Sequence, residues 1–400
     1  MNRELPKGWE WKKLEEVCEK PEYGYTTRAK PDGHGPLFLR TTDISNEGIN
    51  WKSVPFCFEP PSNEERYILK EGDLLIARAG SVGESVVIKN PPRAVFASYL
   101  IRFRPKRELL DALFAGFFLK SVFFWAQLGG KTTGTTLPGV NASNLSKVKI
   151  PLPSLEIQRK IVTILEKAEG TKKFRAQADE LTIQLHQSTF FDMFGDSIKN
   201  PKGWKIIRFN DIISDTKNGL YKPDKYYGKG IPILRMYNIK NTRIIMENYH
   251  RIDVTDKEYE DYKLVEGDIL FNRVNSPIWL GKAAVIPNGL GKCIYESKNI
   301  RIRLKKELAN PTYIVYYLST PAGKNQIIKH TKPAVNQATV NNDDLRKFEI
   351  MLPPLSLQKN FAKIVENVET LREIQKQSRK ENDDLFNTLT QKAFTGELIT

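Results

Sequence analysis

The chain has 400 residues, 40% hydrophobic and 10% aromatic, enough to bury real cores and too many for a disordered tail. Lys and Arg number 62 against 47 Asp and Glu, a net charge of +15 that suits a polyanionic partner, either nucleic acid or an anionic membrane surface. Cys18, Cys57 and Cys293 stand far apart with no pair at metal or redox spacing, which excludes a disulfide scaffold and fits a reducing, cytoplasmic setting.

The opening, MNRELPKGWEWKK, has no apolar core of the kind a signal peptide needs. LLIA at 74–77, VVIK at 86–89 and IRFR at 101–104, broken by Gly, Pro, Asn and Asp, predict strands in a compact mixed domain. The run LLDALFAGFFLKSVFFWAQL at 109–128 invites a transmembrane reading, but Asp111, Lys120 and Gln127 interrupt it, and a charge costs about 3 kcal/mol at a bilayer centre. It predicts a buried helix. A Gly/Thr-rich loop follows, and PLPSLEIQRKIVTILEKAEG then starts a long helix after a proline turn, running to about Phe194.

At 201–204 the PKGW of residues 6–9 returns, 201 − 6 = 195 residues on. FLRTTDI at 38–44 matches ILRMYNI at 233–239, and EGDLLIAR at 71–78 matches EGDILFNR at 266–273, both at that offset. IRFR at 101–104 matches IRIR at 300–303, and FAGFFLKS at 114–121 matches YIVYYLST at 313–320, both displaced by 199; LPSLEIQRKIVTILE at 152–166 matches LPPLSLQKNFAKIVE at 352–366, displaced by 200. Offsets that only creep upward mark a duplicated unit. The second copy of the apolar helix carries Tyr313, Tyr316, Tyr317 and Ser319, too polar for a membrane span.

The second copy closes on a helix running to about Phe394. Leu357, Phe361, Ile364, Val368 and Leu371, then Leu385 and Leu389, follow one four-three track, with Gln375, Ser378 and Asn382 in its middle. In the first long helix Ile157, Ile161, Ile164 and Ala168 start a similar track that drifts to Phe174, Ala178, Leu181 and Leu185. Each helix is a rod about 50 Å long. Neither buries its stripe alone, so the two are expected to pair antiparallel. The expected fold is α+β: two similar mixed domains, 1–153 and 198–353, joined at opposite ends of a coiled-coil spacer built from helices within 154–197 and 354–400, with a pseudo-twofold internal repeat.

Catalytic motifs are imitated but not completed. Asn90-Pro91-Pro92 lacks the aromatic that would hold a flipped adenine, Arg93 standing there instead. Gly130-Lys131-Thr132 resembles the end of a phosphate loop, but Trp125 occupies the place of its first glycine. Pro31-Asp32 and Pro223-Asp224 open no E-x-K strand and read as turns. His34, His186, His250 and His330 are dispersed and offer no metal pair. A binding function therefore stands ahead of a self-sufficient methyltransferase or nuclease.

Sequence reading on DNA needs Lys and Arg for phosphates and Arg, Asn, Gln, Ser or Thr for base edges. The first copy offers Tyr23, Tyr25, Thr26, Thr27, Arg28 and Lys30, then Arg78 and Ser81, then Lys131, Thr132, Thr133, Thr135 and Thr136. The second offers Lys217, Asn218, Tyr221, Lys222 and Lys225, then Arg273, Asn275 and Ser276, then Lys332, Asn336 and Gln337. Trp9 and Trp204, Gly72-Asp73 and Gly267-Asp268, Arg78 and Arg273 repeat while the loops between them differ, the pattern of one half-site reader duplicated and diverged. For Arg78 and Arg273 an ion pair with Asp73 or Asp268 stands open beside a DNA contact, and any loop Thr or Asn can equally be a solvated turn residue.

The whole chain resembles the specificity (S) subunit of type I restriction-modification systems. The likeness rests on the PKGW openings, the EGD-hydrophobic-R strands, the loops before VNASNLSKVKIPLP and VNNDDLRKFEIMLP, and the LPxLxxQ helix starts at Gln158 and Gln358. It implies two target recognition domains, each reading half of a split site on double-stranded DNA, and helices that dock two methyltransferase (modification) subunits, with restriction (motor-nuclease) subunits further out. On that view S-adenosylmethionine belongs to the modification subunits and ATP and magnesium to the restriction subunits; this chain is no enzyme and binds no cofactor or metal. Half-sites about one helical turn, roughly 34 Å, apart follow, and removing Lys131 should weaken binding to every sequence. A two-domain interaction or sensor protein on a coiled coil, binding no DNA, is the alternative; a steep salt dependence of binding separates the two.

Overall fold

The computed structural model describes residues 5–45, 48–78, 83–129, 140–334 and 337–399. Its packing divides the chain into two units, Met1–Ala176 with Lys376–Thr400, and Gln177–Gln375. Each unit mixes strands and helices.

In the first unit, strand Glu10–Lys13, just after PKGW, runs antiparallel to Lys149–Leu152, with Glu10 opposite Leu152 and Lys13 opposite Lys149. The opening of the copy is thereby tied to the strand that leads into the first long helix. A four-stranded antiparallel sheet follows in the order Glu22–Tyr23, Leu100–Phe103, Leu74–Ala77, Ser85–Val87. Leu74–Ala77 reads as an unbroken apolar run because both its faces are covered. Leu74 and Ile76 pack with Phe103, Phe114 and Phe118, whereas Leu75 and Ala77 pack with Leu39, Phe96 and Leu100.

The second unit repeats this plan. Lys205–Arg208 pairs antiparallel with Glu349–Leu352, and the central sheet runs Ile213–Asn218, Asn299–Leu304, Ile269–Asn272, Ala283–Val285. Ile269 and Phe271 face one core and Leu270 the other. Even the mixed small sheets correspond: Leu37–Leu39 lies parallel to Ala94–Phe96, as Ile233 and Leu234 lie parallel to Ile294 and Tyr295.

The apolar segment at 109–128 buries most of its first half as expected, but it forms two helices, Ala112–Lys120 and Val122–Gln127, and only Phe124 of the second is buried. Ser121 turns extended between them (ψ 157°), accepts from Phe124 N–H at 3.4 Å and donates to Phe118 C=O at 2.6 Å. Thr320 makes the same break before Pro321, a proline that disfavours helical backbone in the residue before it. Among the described residues no helix is long and apolar enough to cross a membrane.

The long helices span Leu155–Phe194 and Leu355–Thr395. Within each unit, segments of the two run antiparallel. Lys172 Nζ meets Asp383 at 2.8 Å in the first unit; Gln375 Nε2 donates to Thr182 Oγ1 at 2.9 Å in the second. The expected seam is kept in part and displaced in part: Phe361, Val368 and Gln375 are buried on the expected track, but Phe174, Leu181, Leu185, Ile364, Leu371 and Leu385 are exposed and Val365, one residue off the track, is buried. A helix of 3.6 residues per turn drifts about 20° per heptad against a 3.5 repeat, which is enough to move the buried edge onto a neighbouring track. The helix ends plug the cores. Phe394 packs on Phe114 and Phe118 with ring centroids 5.2 and 5.4 Å away, and Phe194 packs on Tyr313 at 4.9 Å.

The glutamine of LPxLxxQ acts as a buried clamp. Gln158 accepts from Asp111 N–H at 2.8 Å and donates to Leu109 C=O and Pro153 C=O, each at 2.9 Å. Gln358 likewise accepts from Asn310 N–H at 2.9 Å and donates to Pro353 C=O at 2.7 Å.

Candidate nucleic-acid interface

Each unit builds its candidate face where the first strand of the central sheet leaves the sheet. In the first unit, Gly24 follows Tyr23 and there is no room for a side chain: a Cβ would stand 2.2 Å from Ala97 O. The tight approach lets Tyr25 N–H donate to Phe96 C=O at 2.8 Å and Ser98 N–H donate to Tyr25 C=O at 2.9 Å. Gly219 does the same in the second unit, with Glu296 O 2.1 Å from the position of a Cβ. A common root therefore carries different loops.

On that root in the first unit, exposed Arg78 lays its guanidinium over the Tyr23 ring at 5.0 Å, and the Tyr23 hydroxyl accepts from Ala142 N–H at 3.1 Å. Arg78 N–H donates to Tyr99 C=O at 2.9 Å, which places a further exposed aromatic beside them. Tyr25 is half-buried with its ring 5.3 Å from Tyr67, and Lys30 reaches over Phe58 at 5.9 Å. Thr26 and Arg28 are exposed and Thr27 is half-buried. Ser81, Lys131, Thr132, Thr133, Thr135 and Thr136 lie outside the described residues.

The ion-pair alternative for Arg78 and Arg273 is corrected. Asp73, fully buried, receives Arg104 in two bonds, Nε at 2.7 Å and Nη2 at 2.9 Å, and Asp268 receives Arg303 at 2.8 and 3.2 Å. Strand register explains the choice. Phe103 sits opposite Leu74, so Arg104 lies opposite Asp73, whereas Arg78 is at the far end of that strand, about 16 Å away at 3.3 Å per residue. The hydrogen bonds that Arg104 and Arg303 donate to Asp73 and Asp268 raise the two guanidinium groups above their ordinary value. Arg78 and Arg273 remain available for other work.

In the second unit a three-stranded patch gathers residues from distant loops. Val274–Asn275 pairs with Gln337–Thr339, which pairs with Lys332–Ala334, so that Asn275, Gln337 and Lys332 share one small sheet with Arg273 just before its first strand. Arg273 is half-buried. Its Nη1 reaches Ser297 C=O at 3.3 Å, its buried Nε has no partner, and burial lowers its pKa. Asn275 donates to Asn272 Oδ1 at 2.8 Å and accepts from Ser276 N–H at 2.9 Å. Asn336 lies outside the described residues.

The loop after Gly219 is more committed to the scaffold. Lys222 Nζ donates to Glu258 Oε2 at 2.7 Å and Asp253 C=O at 3.0 Å, and its hydrogen bond holds Glu258 below the usual carboxylate range. Lys217 pairs with Asp261 at 3.2 Å, and Asn218 accepts from Asn342 at 3.1 Å. Tyr221 and Lys225 stand exposed, Lys225 over the Tyr226 ring at 5.2 Å. Sequence reasoning missed Tyr99, Ile278 and Trp279; the signal for the last two was present in the longer RVNSPIWLG loop.

Among the described residues no group of three or more His, Cys, Asp or Glu is placed to hold a metal ion. A duplicated scaffold, basic loops and an arginine held over a tyrosine ring at the first root are the features of a protein with two nucleic-acid-reading units. The type I restriction modification DNA specificity domain matches residues 6–180 and again 201–382, and the chain belongs to that family. It is 24% identical over 392 residues to the EcoKI specificity subunit of Escherichia coli K12, covering 92% of this chain and 83% of that one. To the StySPI specificity subunit of Salmonella potsdam it is 25% identical over 427 residues, covering 100% and 91%. Among solved structures, a chain from a study of complex assembly and conformational transition of the type I R-M system superposes with a TM-score of 0.64 at 21% identity, covering 99% of this chain and 100% of that one. The type I S subunit from M. genitalium superposes at 0.56 with 13% identity, covering 98% and 97%; both show the shared fold.

Proposed function

We propose that this chain is the address-reading subunit of a type I restriction-modification complex, each copy of the domain taking one half of a split DNA site. The observation that carries this is the repeated root: Gly24 and Gly219, Asp73–Arg104 and Asp268–Arg303, and Gln158 and Gln358 coincide in role, while the loops they support differ. Two equal frames with unequal tips read two different words.

Tyr23, Arg78 and the exposed residues at 26–30 serve the first half-site, and Arg273, Asn275, Gln337 and Lys332 the second. Lys131 and its neighbouring threonines contribute phosphate contacts. Modification subunits dock on the exposed apolar residues of the long helices, Phe174 in the first unit and Leu181, Leu371 and Ile374 in the second. Those subunits bind S-adenosylmethionine, restriction subunits bind ATP and magnesium, and this chain carries out no catalytic step in the cytoplasm. Methylome sequencing of cells expressing the chain with its partner subunits tests the reading. A split motif and a steep salt dependence of duplex binding are expected; an unsplit motif, or binding indifferent to salt, overturns it.

A further inference from the structure

The two copies differ most sharply at one short place. From Arg78 to Gly83 the first copy has RAGSVG; from Arg273 to Gly281 the second has RVNSPIWLG, three residues longer. In the second unit the additional residues form a turn, Pro277–Trp279, whose tip exposes Ile278 by 82% and Trp279 by 55%. An isoleucine and a tryptophan side by side in water on a strongly basic chain call for an apolar partner inside a polyanion.

The turn is braced at its base. Trp279 N–H and Leu280 N–H donate to Ser276 C=O at 2.9 and 3.1 Å, and Gly281 N–H donates to Asn272 C=O at 3.0 Å. Leu280 packs into the core, and Gly281 (φ +77°) lies so close to Ile327 that a Cβ would meet Cδ1 at 2.3 Å. Lys282 holds its ammonium 4.3 Å over the Trp279 ring. A tip fixed in this way loses little conformational entropy on insertion. The turn leaves the end of strand Val274–Asn275, whose small sheet also carries Lys332 and is preceded by Arg273, cationic and amide groups that suit a DNA groove.

We propose that the Pro277–Ile278–Trp279 turn is an apolar wedge that enters a base step in the half-site read by the second copy, Ile278 inserting and Trp279 backing it. The inference rests on the DNA-specificity reading above and adds an asymmetry to it: the wedge opens the stack in one half-site, and the shorter loop of the first copy lacks the residues to do so. Proteins that drive aliphatic side chains between base steps unstack and kink the duplex, and flexible pyrimidine–purine steps yield most readily. The wedge therefore selects such a step without hydrogen-bonding it.

The test uses the full chain with its modification subunits, as wild type, I278A and W279A, on a randomised duplex pool, followed by the selected duplex carrying 2-aminopurine at successive steps. Wild type is expected to select a split motif and to raise 2-aminopurine fluorescence at one step of one half. Both variants should lose preference at that step alone and abolish the rise, with roughly five- to a hundredfold weaker binding, the range that losing one stacked contact carries. The other half, marked by the positions that Y23A alters, stays unchanged. Variants that keep the wild-type motif and fluorescence overturn the wedge. So do variants that keep both and release the modification subunits, because the turn is then a protein contact. A wild-type chain that selects no split motif refutes the specificity reading itself, and the wedge with it. Both side chains are exposed, so unchanged thermal melting serves as the folding control.

Discussion

Gly24→Ala perturbs the root of the first recognition face with a single methyl group. The new Cβ would stand 2.2 Å from Ala97 O where ordinary contact begins at 3.4 Å, so the backbones must part by about 1 Å. That parting removes the bonds from Tyr25 N–H to Phe96 C=O and from Ser98 N–H to Tyr25 C=O, each about 0.5–1.5 kcal/mol net. It also draws Tyr25 off Tyr67, another 0.5–1.5 kcal/mol or so. The loss totals about 2–4 kcal/mol, which for a unit of this size lowers the melting temperature by roughly 5–15 °C. Calorimetry of the full chain measures it, and selection from a random duplex pool measures the consequence: degraded preference in one half-site and an unchanged other half. Gly24→Ala that melts within about 0.5 kcal/mol of wild type, or that blurs both halves equally, refutes the reasoning.

Gly170→Ala is the contrasting case, since no atom lies within 4 Å of the added Cβ in the first long helix; it should stabilise by about 0.5–1 kcal/mol in the same calorimetry. Arg303→Ala strands the buried Asp268 carboxylate and should cost about 3 kcal/mol in urea titration, with Asp268→Asn restoring part of the loss in the double variant. Arg78→Ala should relax base preference in the first half-site by about 1–3 kcal/mol in competitive binding, leaving the melting point unmoved. His186 is held below its ordinary 6.5 chiefly by burial, facing Glu369 and Arg372 from the second long helix, Arg243 from a neighbouring hairpin and the Tyr316 ring. The unfolded chain then binds the proton more readily. Stability is full above pH 6.5 and falls as the pH drops from there through the lowered folded-state value, a slope that His186→Leu should flatten in melts taken between about pH 5 and 7.

The duplication was legible because long-range self-similarity needs no structural inference: a tryptophan-bearing tetrapeptide and an EGD strand recur in order. LLIA was legible as a strand from its apolar run between turn residues, but that both its faces are covered is decided by the two cores that meet on it. The break at Ser121 was not, because a lone serine within an apolar helix has only a weak preference for ending it, and the capping bonds to Phe118 and Phe124 decide the matter. On the second long helix Phe361, Val368 and Gln375 keep the expected track while Val365 is buried in place of Ile364, a choice made by the partner helix and not by the pattern. In the candidate site, the fate of Arg78 hung on which strand lay beside Asp73, a register that the first unit settles in favour of Arg104. Lys222 read as a candidate DNA contact and is paired with Glu258, since a loop lysine's partner 36 residues away carries no local signature.

The first compact unit takes in Lys376–Thr400, and Phe394 fills the middle of its core between Phe114 and Phe118. On the ribosome this inverts the usual order of maturation. The first unit waits for Lys376–Thr400 to be synthesised, whereas Gln177–Gln375 has all its own residues before them. A nascent chain arrested before Lys376 would carry a finished second head and a first head with an aromatic-sized hole, exposed to chaperones and proteases. The order of synthesis thus makes the core of the first head depend on a segment made only after the second head is complete.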